Sequence, residues 1–110
     1  MKIPELPFTA IDWAKVPGAD YPGDTGKATW RTFEAGDLRV RMVEYSPGYC
    51  ADHWCPRGHV VLVVDGEMTT ELKDGQRFVL KTGMGYTASD DPENPHRAVT
   101  KTGCKLFIVD

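Results

Sequence analysis

This 110-residue sequence predicts an all-β fold, an antiparallel sandwich or small barrel, and three observations carry that expectation. Apolar and polar residues alternate with a period of two in the patterned segments, as they do where a strand buries one face. Asp-Gly pairs at Asp65-Gly66 and Asp74-Gly75 separate runs rich in β-formers. Asp-Gly is the strongest short hairpin signal, because both residues tolerate positive φ. No segment repeats its apolar residues at helical spacing.

Residues 1–35 are expected to form an N-terminal arm that packs on the barrel or on a partner subunit. Prolines at 4, 7, 17 and 22 and glycines at 18, 23 and 26 leave room for one short strand, near Phe8 to Trp13. The barrel is expected over residues 36–110. Leu38, Val40 and Met42 alternate with Arg39 and Arg41, which predicts a strand with one face in the core. His59 to Val64 is an apolar run closed by Asp65-Gly66, and Met68 to Leu72 is read as the returning strand. Asp74-Gly75 then leads into Arg77 to Leu80, Lys81 to Gly85 is a glycine-punctuated bend, and Lys105 to Val109 is the last strand.

The net charge of −3, with Lys and Arg scattered, offers no footprint for nucleic acid or an anionic membrane. No apolar run resembles a signal peptide or a bilayer span, and three cysteines suit a reducing compartment, so a cytoplasmic protein is expected. A barrel-edge strand left unpaired invites a second copy, and a homodimer is the expected assembly.

All three histidines lie beside Gly and Pro punctuation: His53 and His59 flank Cys55, and His96 follows Pro95. Imidazole and thiolate are the donors that suit zinc, iron(II), nickel and copper. If residues 51–55 are extended, His53 and Cys55 share a face. His59 opens the next strand after the Pro56-Arg57-Gly58 break, and Pro95 enforces an extended entry to His96. His53, Cys55, His59 and His96 are therefore the candidate ligands of a divalent metal ion: zinc first, then iron(II), then nickel or copper. Cys50 and Cys104 are read as core thiols, with a Cys50–Cys55 redox pair as the alternative.

Arg57 and Arg97 adjoin these ligands and are candidates for holding a carboxylate or phosphate of a substrate; the alternative is surface charge. Tyr86, just after the Gly83–Gly85 bend, is a third substrate candidate. Trp54 is read as packing outside the barrel mouth. Asp52, or the Asp90-Asp91 pair, can orient a ligand imidazole; Asp90-Asp91 can equally cap a loop.

Gly48, His53, Cys55, His59 and Gly66 together resemble the first motif of the cupin superfamily. There, a histidine pair follows a glycine and is followed by a glutamate and a second glycine. In this chain the gap after Gly48 is one residue short, Cys55 stands for the second histidine and His59 for the glutamate. Gly75, Gly83 and His96 are similar to the second motif, with Lys81 in place of its proline. Asp52-His53-Trp54-Cys55, Pro95-His96-Arg97 and the tail Leu106 to Asp110 resemble a group of small single-domain cupins named for an Asp-His-Cys-Trp motif. The resemblance spans Gly36 to Asp110. It implies a cupin-like antiparallel β-barrel, or jelly roll, with a metal at its mouth, and it implies no substrate.

Three functions stay open at this point. One is a metal-dependent enzyme of oxygenase or isomerase type acting on a small polar or carboxylated molecule. Another is a metal-loaded small-molecule binding or sensing module without turnover. The last is a metal-free barrel whose histidines line an organic-ligand pocket. Four bound ligands would suit a closed zinc site, and three would leave a position open for a small molecule.

Overall fold

Turn chemistry and β-propensity divide the described residues into eight strands: β1 Ala19–Pro22, β2 Lys27–Ala35, β3 Leu38–Tyr45, β4 His59–Leu72, β5 Arg77–Lys81, β6 Gly85–Ala88, β7 His96–Val99 and β8 Cys104–Val109. They are seen in a computed structural model that describes residue 3 and residues 5–110. All pairings are antiparallel, in the order β1-β2-β3-β8-β4-β5, with β6 and β7 also paired to β4. Among the described residues no helix is long and apolar enough to cross a membrane.

The 14-residue β4 organises the barrel. Its first half lies between β8 and β6, and its second half between β5 and β7, so one strand belongs to both sheets. The expected hairpin at Asp65-Gly66 does not form there. The chain runs on through a bulge, where the β4–β8 register slips between Val63 and Asp65. Gly66 adopts φ +90°, and a Cβ there would lie 2.5 Å from the Gly103 carbonyl oxygen. Turn and bulge both demand positive φ, and so both select the same residue. The bulge changes which parity faces inward: His59, Val61 and Val63 are buried before it, Met68 and Thr70 after it. Asp74-Gly75 does form a tight hairpin, with Gly75 at φ +99° and its N–H donating to the Leu72 carbonyl.

The sheet begins earlier than residue 36. β2 pairs along its whole length with β3, and Ala28 is a core residue. No strand occupies Phe8 to Trp13. Thr9 donates to the Pro7 carbonyl and Asp12 caps a 3-10 turn over Trp13–Lys15, local bonds that compete with extended pairing. Trp13 packs edge-on against Phe107 at 6.5 Å between ring centres, on the outer face of the barrel.

That contact explains a second departure from expectation. The inward face of β3 carries Arg41, Val43 and Tyr45, and Val40 and Met42 point outward, half-buried. Trp13 and Ala14 lie beside Met42 on the outside. With cover on both faces, apolar character no longer tells the core side of β3 from the other. Inside, Val43, Val63, Met68 and Leu106 are fully buried, each stabilising the fold by about 1.5–3 kcal/mol.

Candidate metal centre

The site forms where β4 and β7 begin. His59 is the first residue of β4 and His96 the first of β7, and both imidazoles are buried. Cys55 joins them through a backbone bridge: its N–H donates to the His96 carbonyl at 2.7 Å, and the His96 N–H returns a bond of 3.0 Å. One ligand atom from each of Cys55, His59 and His96 falls within 4.8 Å of the others. Cys55 Sγ lies 3.5 Å from His59 Nε2, and the two imidazole rings meet edge-on at 5.0 Å. A tetrahedral zinc with ordinary bonds to sulfur and nitrogen holds those two atoms about 3.5 Å apart. The donor set therefore fits a divalent ion.

His59 is oriented from behind. Its Nδ1 donates to Asp110 Oδ2 at 2.9 Å, and Asp110 also receives a two-pronged Arg39 fork at 2.8 and 2.9 Å and Arg41 Nη2 at 3.2 Å. Burial alone would raise the Asp110 carboxyl. The Arg39 hydrogen bond, the Arg41 charge and the His59 hydrogen bond outweigh it and hold the group at about 2. An ionised carboxylate only accepts, so the proton of His59 sits on Nδ1 and the lone pair of Nε2 faces Cys55. Burial pushes His59 below its ordinary 6.5 despite Asp110, and burial followed by the His59 neighbour does the same to His96. Both rings are neutral at pH 7, the form that donates to a metal.

His53 is not brought into this group. Asp52 and His53 form a bend instead of extended chain, so the shared face with Cys55 is lost. The His53 side chain is 67% exposed and its Nδ1 bonds Asp52 at 2.7 Å, with the ring at the cavity rim. Cys50 lies apart in a bridge to Thr25 and Val99, and Cys104 is a core thiol that burial pushes up to about 11. All three cysteines are free.

A cavity of about 250 Å³ opens beside the three donors, within the barrel. Tyr86 reaches it from β6, edge-on to His96 at 5.8 Å. Arg57 lines its exposed rim. Arg97 also lines it, with Nε on Glu71 at 2.8 Å and its guanidinium over the Trp54 ring at 4.5 Å. Lys73 stacks on the same indole, so Trp54 is a packing residue. Asp90 and Asp91 accept from backbone N–H groups of Gly58, Glu93 and Asn94, and so tie loops together. Asp110, Arg39 and Arg41 are the residues that sequence reading missed as part of the site.

No protein-family model and no curated protein matches the sequence. Solved structures do match in shape. A predicted oxalate decarboxylase from Thermotoga maritima superposes with a TM-score of 0.77 at 11% identity, over 92% of this chain and 96% of that one. A sugar phosphate isomerase of the cupin superfamily from Silicibacter pomeroyi gives 0.72 at 17% identity, over 92% and 74%. HppE in its iron(II) form with an alternative substrate gives 0.76 at 13% identity, over 94% of this chain and 60% of HppE. At these identities the likeness concerns architecture, and the architecture of this chain is the cupin jelly-roll barrel.

Proposed function

We propose that the chain holds a divalent metal ion on Cys55, His59 and His96 and uses it on a small polar or carboxylated molecule in the barrel, as a metal-dependent enzyme of oxygenase or isomerase type. The observation that carries this reading is the convergence of one thiol and two neutral imidazoles, from three separate segments, beside a cavity of about 250 Å³. Three protein donors leave coordination positions for a ligand. A bound ion would supply Lewis acidity or, as iron(II), electron transfer to dioxygen. The protein's own part is orientation: Asp110 fixes the tautomer of His59, and the His96–Cys55 bridge fixes the other two donors. HppE, of like shape, carries iron(II).

The sulfur donor favours a second reading. A thiolate with two imidazoles is a good zinc site, and redox-inert zinc suits a binding or sensing module without turnover. Metal analysis of untagged protein, with oxygen uptake measured on addition of small carboxylates, separates the two. Iron with ligand-stimulated uptake supports the enzyme, and tightly held zinc with no turnover supports the sensor. No stoichiometric metal after growth in supplemented medium would remove both. The three free thiols fit a reducing compartment.

We also propose that two copies associate. Val60, Leu62 and Val64 form an outward stripe on β4, 47%, 44% and 41% exposed, with Met84 beside it. Apolar rows of this kind on a barrel wall mark contact surfaces. Light scattering on the protein and on Leu62→Glu should report a dimer and a monomer respectively.

A further inference from the structure

The charge of the cavity lining is one-sided. Four arginines, Arg39, Arg41, Arg57 and Arg97, line the cavity, and among the described residues no Asp or Glu lines it. The nearest carboxylates do not balance them. Asp110 is shared between Arg39 and Arg41, and Glu71 between Arg97 and Arg77. Arg41 is the deepest of the four, 3% exposed. Its guanidinium stacks on the Trp30 ring at 4.4 Å. Arg41 Nε–H is buried without a partner among the described residues, and so is Trp30 Nε1–H. Both residues line the cavity, and a buried donor left without an acceptor is costly.

Arginine and indole side chains can only donate, so an occupant that pairs with them must accept, and the surplus cation asks that it be negative. The guanidinium fork matches a planar carboxylate. Size sets a further limit: an apolar cavity of about 150 Å³ takes benzene, so this one admits a molecule of roughly a dozen heavy atoms or fewer. Leu106 and Ile108 supply apolar wall for a short carbon skeleton. We propose that the barrel interior is a carboxylate-recognition site, in which the arginine-lined wall, with Arg41 stacked on Trp30, binds one carboxylate of a small organic acid whose other end faces Cys55, His59 and His96. The orientation toward those donors rests on the metal reading above; recognition of the carboxylate does not.

The test is calorimetric titration with malonate and with pyruvate, using metal-free and zinc-loaded protein, with malonamide and inorganic phosphate as comparators. Carboxylates should bind in both forms and malonamide should not. Arg41→Lys keeps the charge and loses the fork, and should weaken binding about tenfold or more; Trp30→Phe keeps the stacking face and should weaken it several-fold. Circular dichroism checks that each variant is folded, and if Arg41→Lys is not, Trp30→Phe decides. The proposal is overturned if neither acid binds, if malonamide binds as well as malonate, if phosphate binds more tightly than both acids, or if folded variants bind like the unaltered chain. Carboxylate binding by protein that takes up no zinc would sink the metal reading and leave this one standing. Zinc uptake without carboxylate binding would do the reverse.

Discussion

Replacing Asp110 by Asn removes the one charge on which Arg39, Arg41 and His59 converge. The carboxyl is held at about 2, against an ordinary 3.8. At about 1.4 kcal/mol per pKa unit, its ionised form stabilises the folded state by about 2 kcal/mol. Because the folded value is depressed, this contribution is complete well above pH 3.8 and is lost as pH falls toward 2; about half is gone by pH 3. Asp110→Asn should therefore cost at least about 2 kcal/mol at pH 7, and more if Arg41 is left as an unpaired buried charge. Urea unfolding followed by circular dichroism, for both proteins at pH 7 and pH 3, measures the effect. The gap between them should narrow by about 1 kcal/mol at the lower pH. An unchanged gap would refute the claim that an ionised Asp110 is what holds the arginine pair.

Metal content after purification should collapse in His96→Ala and Cys55→Ala but stay near that of the unaltered chain in His53→Ala, whose ring stands outside the donor group; loss in His53→Ala would show that the rim folds in on the ion. Acid should strip the metal only below the ordinary imidazole value of 6.5, since burial lowers both His59 and His96 and protons compete later for their lone pairs. Release above pH 7, followed by a chromogenic chelator, would contradict that. Gly66→Ala should destabilise the chain by about 1–3 kcal/mol or more, since it strains a positive φ and drives a methyl group against the Gly103 carbonyl; an unchanged urea midpoint would count against the bulge.

Much of the barrel could be read in advance where one rule acts alone. Asp74-Gly75 is a turn, and the apolar run from Lys105 to Val109 is the last strand. Reading fails where two structures ask the same thing of a residue. Asp65-Gly66 is a bulge that looks like a hairpin, and β3 is apolar on its outer face because the arm covers it. β2 escaped notice because its residues are partly buried on both faces, which erases the period of two; Thr29, Trp30, Thr32 and Phe33 between Gly26 and Gly36 were the available signal. In the site, residue type pointed to His59, His96 and Cys55. What unites Cys55 with His96 is a bridge across 41 positions of sequence, and what steadies His59 is a carboxylate 51 positions away. Local parity carries no information about either.

The three donors do not rest on equally firm ground. His59 opens β4, which is paired on both sides over Val60–Leu62 and again over Thr69–Glu71, whereas Cys55 lies in a loop tied by single bonds at Ala51, Pro56 and Gly58 and by the two-bond bridge to His96. Fluctuations that let a molecule in or out are drawn from the least secured part of a fold. Here that prediction falls on the loop of residues 51–58, and amide hydrogen exchange should be faster there than along the paired residues of β4.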